Sequence, residues 1–257
     1  MTTPLASAQP PTRRVRRSPR SAQTRAEVMM TLRRGESLLL TLGIPVGLLV
    51  FFSLVDVLPT TTEKPVTFLA PGIVALAVMS AAMVGLAIAT AFERQYGVLK
   101  RIGTTPLGRT NLLVAKITAI VAVETVQFLV LLPVGFALGW RPPLSGIAPA
   151  AAAVLLGTCA FAGLGLAMAG ALRAEVVLAA ANGLYILLLL VSGMMIPLTE
   201  LPGPLRAVAR GLPSSALAEV LRGALSTAEQ ASGTAWAVLI GWAVLGPIIA
   251  IRLFRWE

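Results

Sequence analysis

This chain of 257 residues has no histidine, one cysteine, three lysines and few aromatics. Each shortage removes a class of chemistry. Without His there is no His-bearing zinc site, no HExxH helix and no Ser-His pair. Cys159 has no partner for a disulfide framework, and it sits inside an apolar run where a thiol reads as a small packing residue. Lys64, Lys100 and Lys116 follow Glu63, Leu99 and Ala115, so no lysine ends a Gly-rich phosphate loop of the Walker A kind. The chain is therefore expected neither to hydrolyse nucleotide nor to hold a metal or cofactor of its own. Charge is scarce as well. Only 12% of residues are charged, against roughly 25% in soluble domains.

What fills the chain is apolar: 56% of residues are hydrophobic and the mean hydropathy is +0.85. A helix crossing a bilayer needs about 20 mostly apolar residues. Six stretches approach that length: 37–55, 68–91, 111–138, 147–172, 176–196 and 234–254. The runs are continuous, with no period-two alternation, which predicts a helical bundle rather than a barrel. The expected fold is all-α and integral to a membrane.

The formal charge of +10 would suit a nucleic-acid binder, but the basic residues flank the apolar runs instead. No nucleic-acid partner is expected. With the N-terminus inside, 16 of the 21 Lys and Arg residues fall on the cytoplasmic side and five outside. That asymmetry predicts six spans with both termini cytoplasmic. Residues 1–20, with "RRVRRSPR" at 13–20, read as a disordered basic tail. Residues 21–257 read as one six-span domain. No cleavage site follows the first apolar run, so a cleaved export signal is not expected.

Three segments interrupt this pattern. "SAQTRAEVMMTLRRGES" (21–37) sets Val28, Met29 and Leu32 at helical spacing beside arginines, which predicts an amphipathic helix on the inner membrane surface. The connection from Pro197 to Gly233 carries two short apolar faces. One holds Leu205, Val208, Ala209 and Leu212, the other Leu217, Val220, Leu221 and Leu225, with Pro202, Pro204 and Pro213 at their bounds. They predict two outer-side interfacial or re-entrant helices before the last span. The third segment, "FERQYGVLKRIGTTPLGR" (92–109), predicts a helix of about three turns over Glu93–Ile102. Tyr96, Leu99 and Ile102, with Val98 less squarely, form its apolar face, and Gly103 and Pro106 stop it. A cytoplasmic helix with an aligned apolar face is built to dock on lipid or protein.

That third segment resembles the first cytoplasmic loop of ABC transporter type-2 permeases, the membrane subunits of bacterial drug and polysaccharide exporters. Glu93, Arg94, Gly97, Leu99, Lys100, Arg101, Pro106, Leu107 and Lys116 fall on the family pattern, and Val98 replaces its usual Thr. "SGMMIPLTELPGPLRAVARGLPSSALAEVLRGAL" (192–225) is similar to a second family segment, carrying Gly193, Pro197, Pro202, Pro213 and Arg222. "LRRGESLLLTLGIPVGLLVFF" (32–52) resembles its first span. The resemblance implies an inner (plasma) membrane permease that pairs with an identical or related subunit. A separate dimeric ATPase would bind ATP and Mg and grip a coupling helix made of Glu93, Arg94, Tyr96, Gly97, Leu99, Lys100, Ile102 and Pro106. Drug or antibiotic efflux is the expected activity.

Glu124 lies deep in the third apolar stretch, with Gln127 almost one turn on. A carboxylate there costs about 2.5–3.5 kcal/mol on insertion scales, so it should face protein or water. It either lines a translocation path or makes an interhelical hydrogen bond. Lys116, near the inner boundary, is expected to snorkel. An ion-coupled secondary transporter ranks lower, since Glu124 is the only acidic residue deep in a span and no inverted repeat is evident. A membrane hydrolase lacks the chemistry. A non-transporting assembly or immunity protein of the same fold stays open.

Overall fold

A computed structural model describes residues 24–30, 35–55, 65–103, 109–226 and 230–253. The expected disordered tail lies outside these. Every regular element among the described residues is helical. Residues 24–30 form α1, and α2 is Gly35–Leu54. α3 (Pro65–Met79) continues through a π-helical turn, Ser80–Gly85, into α4 (Leu86–Gln95). α5 is Val98–Gly103 and α6 Arg109–Ala137. α7 (Ile147–Ala171) and α8 (Ala174–Val191) follow, then the short α9 (Gly203–Arg210) and α10 (Pro213–Leu225), and finally α11 (Gly233–Leu253).

Among the described residues, five helical segments are long and apolar enough to cross a membrane: Pro65–Gln95, Thr110–Ala137, Leu144–Ala171, Ala174–Val191 and Gly233–Leu253. The first apolar stretch forms α2, within which Thr41–Leu54 is a shorter apolar helix. The chain is thus an all-helical, multi-pass membrane protein.

α7 runs through the middle, with α11, α10, α4 and α3 packed around it. Its run of Ala and Gly explains why. Without a hydrophobic force between helices in lipid, close backbone approach supplies the contact energy, and small residues allow it. A Cβ on Gly163 would stand 2.1 Å from the backbone carbon of Gly246 on α11. One on Gly165 would stand 2.7 Å from the Met83 carbonyl oxygen in the π turn. Bulk at either place would push two helices apart. By contrast, Gly43 and Gly47 on α2 have open space around them.

The connection after α8 divides as its prolines suggest. Pro202 and Pro213 sit at the N-termini of α9 and α10, where their missing N–H groups would have no helical partner anyway. The two helices differ in depth. α9 exposes Leu205 and Val208, while α10 is buried along nearly its whole length against α3, α7 and α11.

Candidate functional site

The charged segment between Pro65–Gln95 and Thr110–Ala137 forms a corner, not one helix. α4 carries Glu93, Arg94 and Gln95 as its last turn. Gly97 then adopts φ +70°, which a glycine enters without steric cost, and its N–H returns to the Arg94 carbonyl at 3.0 Å. α5 starts afresh, with the Arg101 N–H on the Gly97 carbonyl at 3.2 Å. The continuous helix expected over Glu93–Ile102 is therefore corrected to two pieces, broken by a left-handed glycine cap.

The break also divides the expected apolar face. Tyr96 is 73% exposed and stacks on Phe92 at 6.1 Å, whereas Leu99 is fully buried. They cannot anchor the same partner. Val98, Lys100 and Arg101 are exposed with Tyr96. The Ile102 side chain and Pro106 lie outside the described residues.

Glu93 and Arg94 turn inward. The Lys116 ammonium of α6 meets a Glu93 carboxylate oxygen at 2.6 Å and one of Glu27, on α1, at 3.5 Å. Lys116 is only 2% exposed, so it does not snorkel; it joins three elements. The reason is distance: with two carboxylates delivered to it, the ammonium need not reach water. Removing one partner of such a buried pair typically costs about 3–5 kcal/mol. Arg94 donates to the carbonyls of Gly170, at 2.6 Å, and Leu172. The last carbonyls of a helix lack intrahelical donors, and a cation there also suits the helix dipole. Gln95 donates to Glu175 at 2.9 Å. The corner is thus braced against α1, α6 and the α7–α8 turn.

Glu27 carried no signal in the sequence, where its helix was expected to lie on the inner membrane surface through Val28, Met29 and Leu32. Met29 is 43% exposed, and Glu27 is the buried residue. Leu32 lies outside the described residues.

A cavity of about 460 Å3 opens above this cluster, between α1, α2, α4 and α6. Among the described residues, its polar lining is Glu27, Glu93, Lys116, Thr41 and the Tyr96 phenol, and the others that line it are apolar.

Glu124 and Gln127 are both buried, and neither lines that cavity. Glu124 accepts a hydrogen bond from the Thr158 hydroxyl of α7 at 2.7 Å, and its other oxygen has no partner. Gln127 donates at 3.0 Å to the Thr41 carbonyl of α2. That carbonyl faces Pro45 one turn on, which has no N–H to offer, so the amide replaces the missing helical bond. Both residues join helices of one chain.

The segment between α8 and α10 is stitched by side chains. Gly193 takes φ +71° and breaks the helix after α8. Buried Arg222 of α10 donates to the carbonyls of Gly193 and of Met194, the latter at 3.2 Å, and its guanidinium lies 4.1 Å from the centre of the Phe68 ring. Ser215 donates to the Val191 carbonyl at 3.2 Å. Pro197 precedes a short 3-10 turn, Leu198–Glu200. Buried non-helical backbone needs protein partners for its polar groups, and here Arg222 and Ser215 supply them.

Long apolar helices around a small-residue core, with a braced charged corner where two of them end, define a multi-pass membrane protein. The family described as ABC-2 type transporter matches residues 21–226, and the chain belongs to it. That match places it among ABC permeases, whose ATPase is a separate subunit. No curated protein matches the chain.

Proposed function

We propose that the chain is the permease subunit of an exporter, most consistent with drug or antibiotic efflux, working as a dimer driven by a separate pair of ATPase subunits. It crosses the inner membrane six times, α2 being the first span, with both termini cytoplasmic and α9 and α10 re-entrant from the outer side. The positive-inside asymmetry supports that orientation.

The α4–α5 corner carries this reading. It presents Tyr96, Val98, Lys100 and Arg101 outward, while Glu93, Arg94 and Leu99 tie it to the bundle behind. A push on the exposed side would therefore move α1, α6 and the α7–α8 turn together. That is what a coupling element must do.

Copurification from membranes containing the natural ATPase tests this. Tyr96→Ala with Val98→Ala should release the ATPase, because two apolar anchors at roughly 1.5–3 kcal/mol each amount to ~10²–10⁴-fold in affinity. Lys100→Ala should do less, as an exposed ion pair contributes ~0–1 kcal/mol. Leu99→Ala should instead lower the permease's own stability by about 2–5 kcal/mol. An ATPase that stays bound to the double variant would end the coupling role of this corner.

A further inference from the structure

The hydroxyls of Thr118, Thr125 and Thr158 inside the spans each donate to the carbonyl one turn back in their own helix. Gln127 reaches across to α2. Asn182 differs from all of these. It sits at the middle of the 18-residue span Ala174–Val191, and it is exposed. Its amide donates once, to the Leu178 carbonyl at 2.7 Å. The second N–H and the amide oxygen have no partner among the described residues. The hydrocarbon core of a bilayer offers neither a donor nor an acceptor.

The surface beside Asn182 is shaped for a helix. Val176, Ala179, Gly183, Ile186 and Leu190 are all exposed, and their alternating steps of three and four residues draw one seam along α8. A Cβ at Gly183 would meet nothing within 4 Å. With Ala179 one turn before it, that position lets another backbone come close. α11 gives the contrast. Its most apolar window is 22% buried, as is that of α8, but its exposed middle of Ile240, Val244, Leu245 and Ile248 is wholly apolar. Acyl chains suffice to cover it.

We infer that the α8 seam binds a second copy of this chain, α8 against α8, with Asn182 donating across the contact. Two copies in one membrane share an orientation, so a two-fold axis along the membrane normal sets their α8 helices side by side and parallel. Such a contact is isologous, and each copy receives what it gives. The missing side chain at Gly183 leaves the carbonyls of that turn open, so the amide of each copy bonds the backbone of the other. One amide beside an otherwise apolar seam also fixes register. This inference rests on the dimer reading above and names the surface that makes the dimer.

The test uses the full-length chain with Cys159 replaced, in membranes, carrying one new cysteine at a time. Under copper-phenanthroline oxidation, Ala179→Cys, Ile186→Cys and Leu190→Cys should give covalent dimers, and Ile240→Cys and Val244→Cys should not. In lipid nanodiscs at a fixed protein-to-lipid ratio, Asn182→Leu should lower the dimer fraction severalfold by native mass spectrometry. Asn182→Gln, which keeps an amide, should retain most of it. Gly183→Leu closes the seam from the other side and should lower the dimer fraction as well. Thermal unfolding of both leucine variants should match the native chain, since neither position touches another helix. A dimer that links through α11 and not through α8 would overturn the inference while leaving the dimer reading intact. So would an unchanged dimer fraction in Asn182→Leu and Gly183→Leu. A native chain that stays monomeric in nanodiscs would overturn both.

Discussion

Glu124 and Gln127 look alike in the sequence, yet their surroundings make opposite demands. Gln127 supplies the Thr41 carbonyl with a donor that Pro45, one turn on, cannot give. Gln127→Leu removes it and should cost about 0.5–1.5 kcal/mol, the net worth of a typical hydrogen bond. Glu124 is different, because the Thr158 hydroxyl also lies 2.8 Å from its own Val154 carbonyl. Glu124→Leu leaves Thr158 with that partner and removes a carboxylate oxygen that has none. Its stability should stay within about 1 kcal/mol of the native chain. Thermal unfolding of the two variants in one detergent checks this, and a larger loss for Glu124→Leu than for Gln127→Leu would reverse the assignment. If Glu124→Leu is stable but transport falls, the carboxylate serves the transported molecule and not the bundle.

Among the elements, the α7–α11 crossing sets the tightest limit. Gly163 and Gly246 meet with no room for a side chain, and a Cβ on Gly246 would stand 2.7 Å from the Ala160 carbonyl oxygen. Gly163→Val should separate the helices and abolish the monodisperse folded peak in size-exclusion chromatography. Gly47→Val, on the open face of α2, should leave that peak in place. Equal behaviour of the two variants would mean that the crossing is not what orders the bundle. The α4–α5 corner shows the converse use of glycine. At Gly97 there is space for a Cβ, and it is the backbone angle that requires the residue.

For the whole molecule, burial is distributed unevenly among the spans. The most apolar windows of Pro65–Gln95 and Leu144–Ala171 are 72% and 61% buried, while those of Ala174–Val191 and Gly233–Leu253 are 22% buried. Ala174–Val191 and Gly233–Leu253 keep broad apolar faces uncovered. Orientation is the property to test at this scale. With Cys159 replaced, cysteines at Ser18 and Gly108 should be protected from an impermeant thiol reagent in intact cells, and those at Thr61 and Ser226 should react. Labelling of Gly108 from outside would overturn the six-span arrangement with cytoplasmic termini.

The sequence by itself determined the class of fold, because run length and scarcity of charge are set by bilayer thickness and need no tertiary information. It also placed the short helices after α8, since prolines mark helix starts locally. The tertiary structure decided which way each polar side chain faces. Tyr96 and Leu99 shared a face only while Gly97 was read as helical, and a glycine can be helical or left-handed with little local preference. Glu27, Lys116 and Glu93 are separated by dozens of residues, and Glu124 and Thr158 by 34. Their pairing depends on how the helices pack, which period and composition do not encode. Burial without water then makes those pairings matter, because a charge or carbonyl left alone at that depth costs more than the helix contacts around it can return.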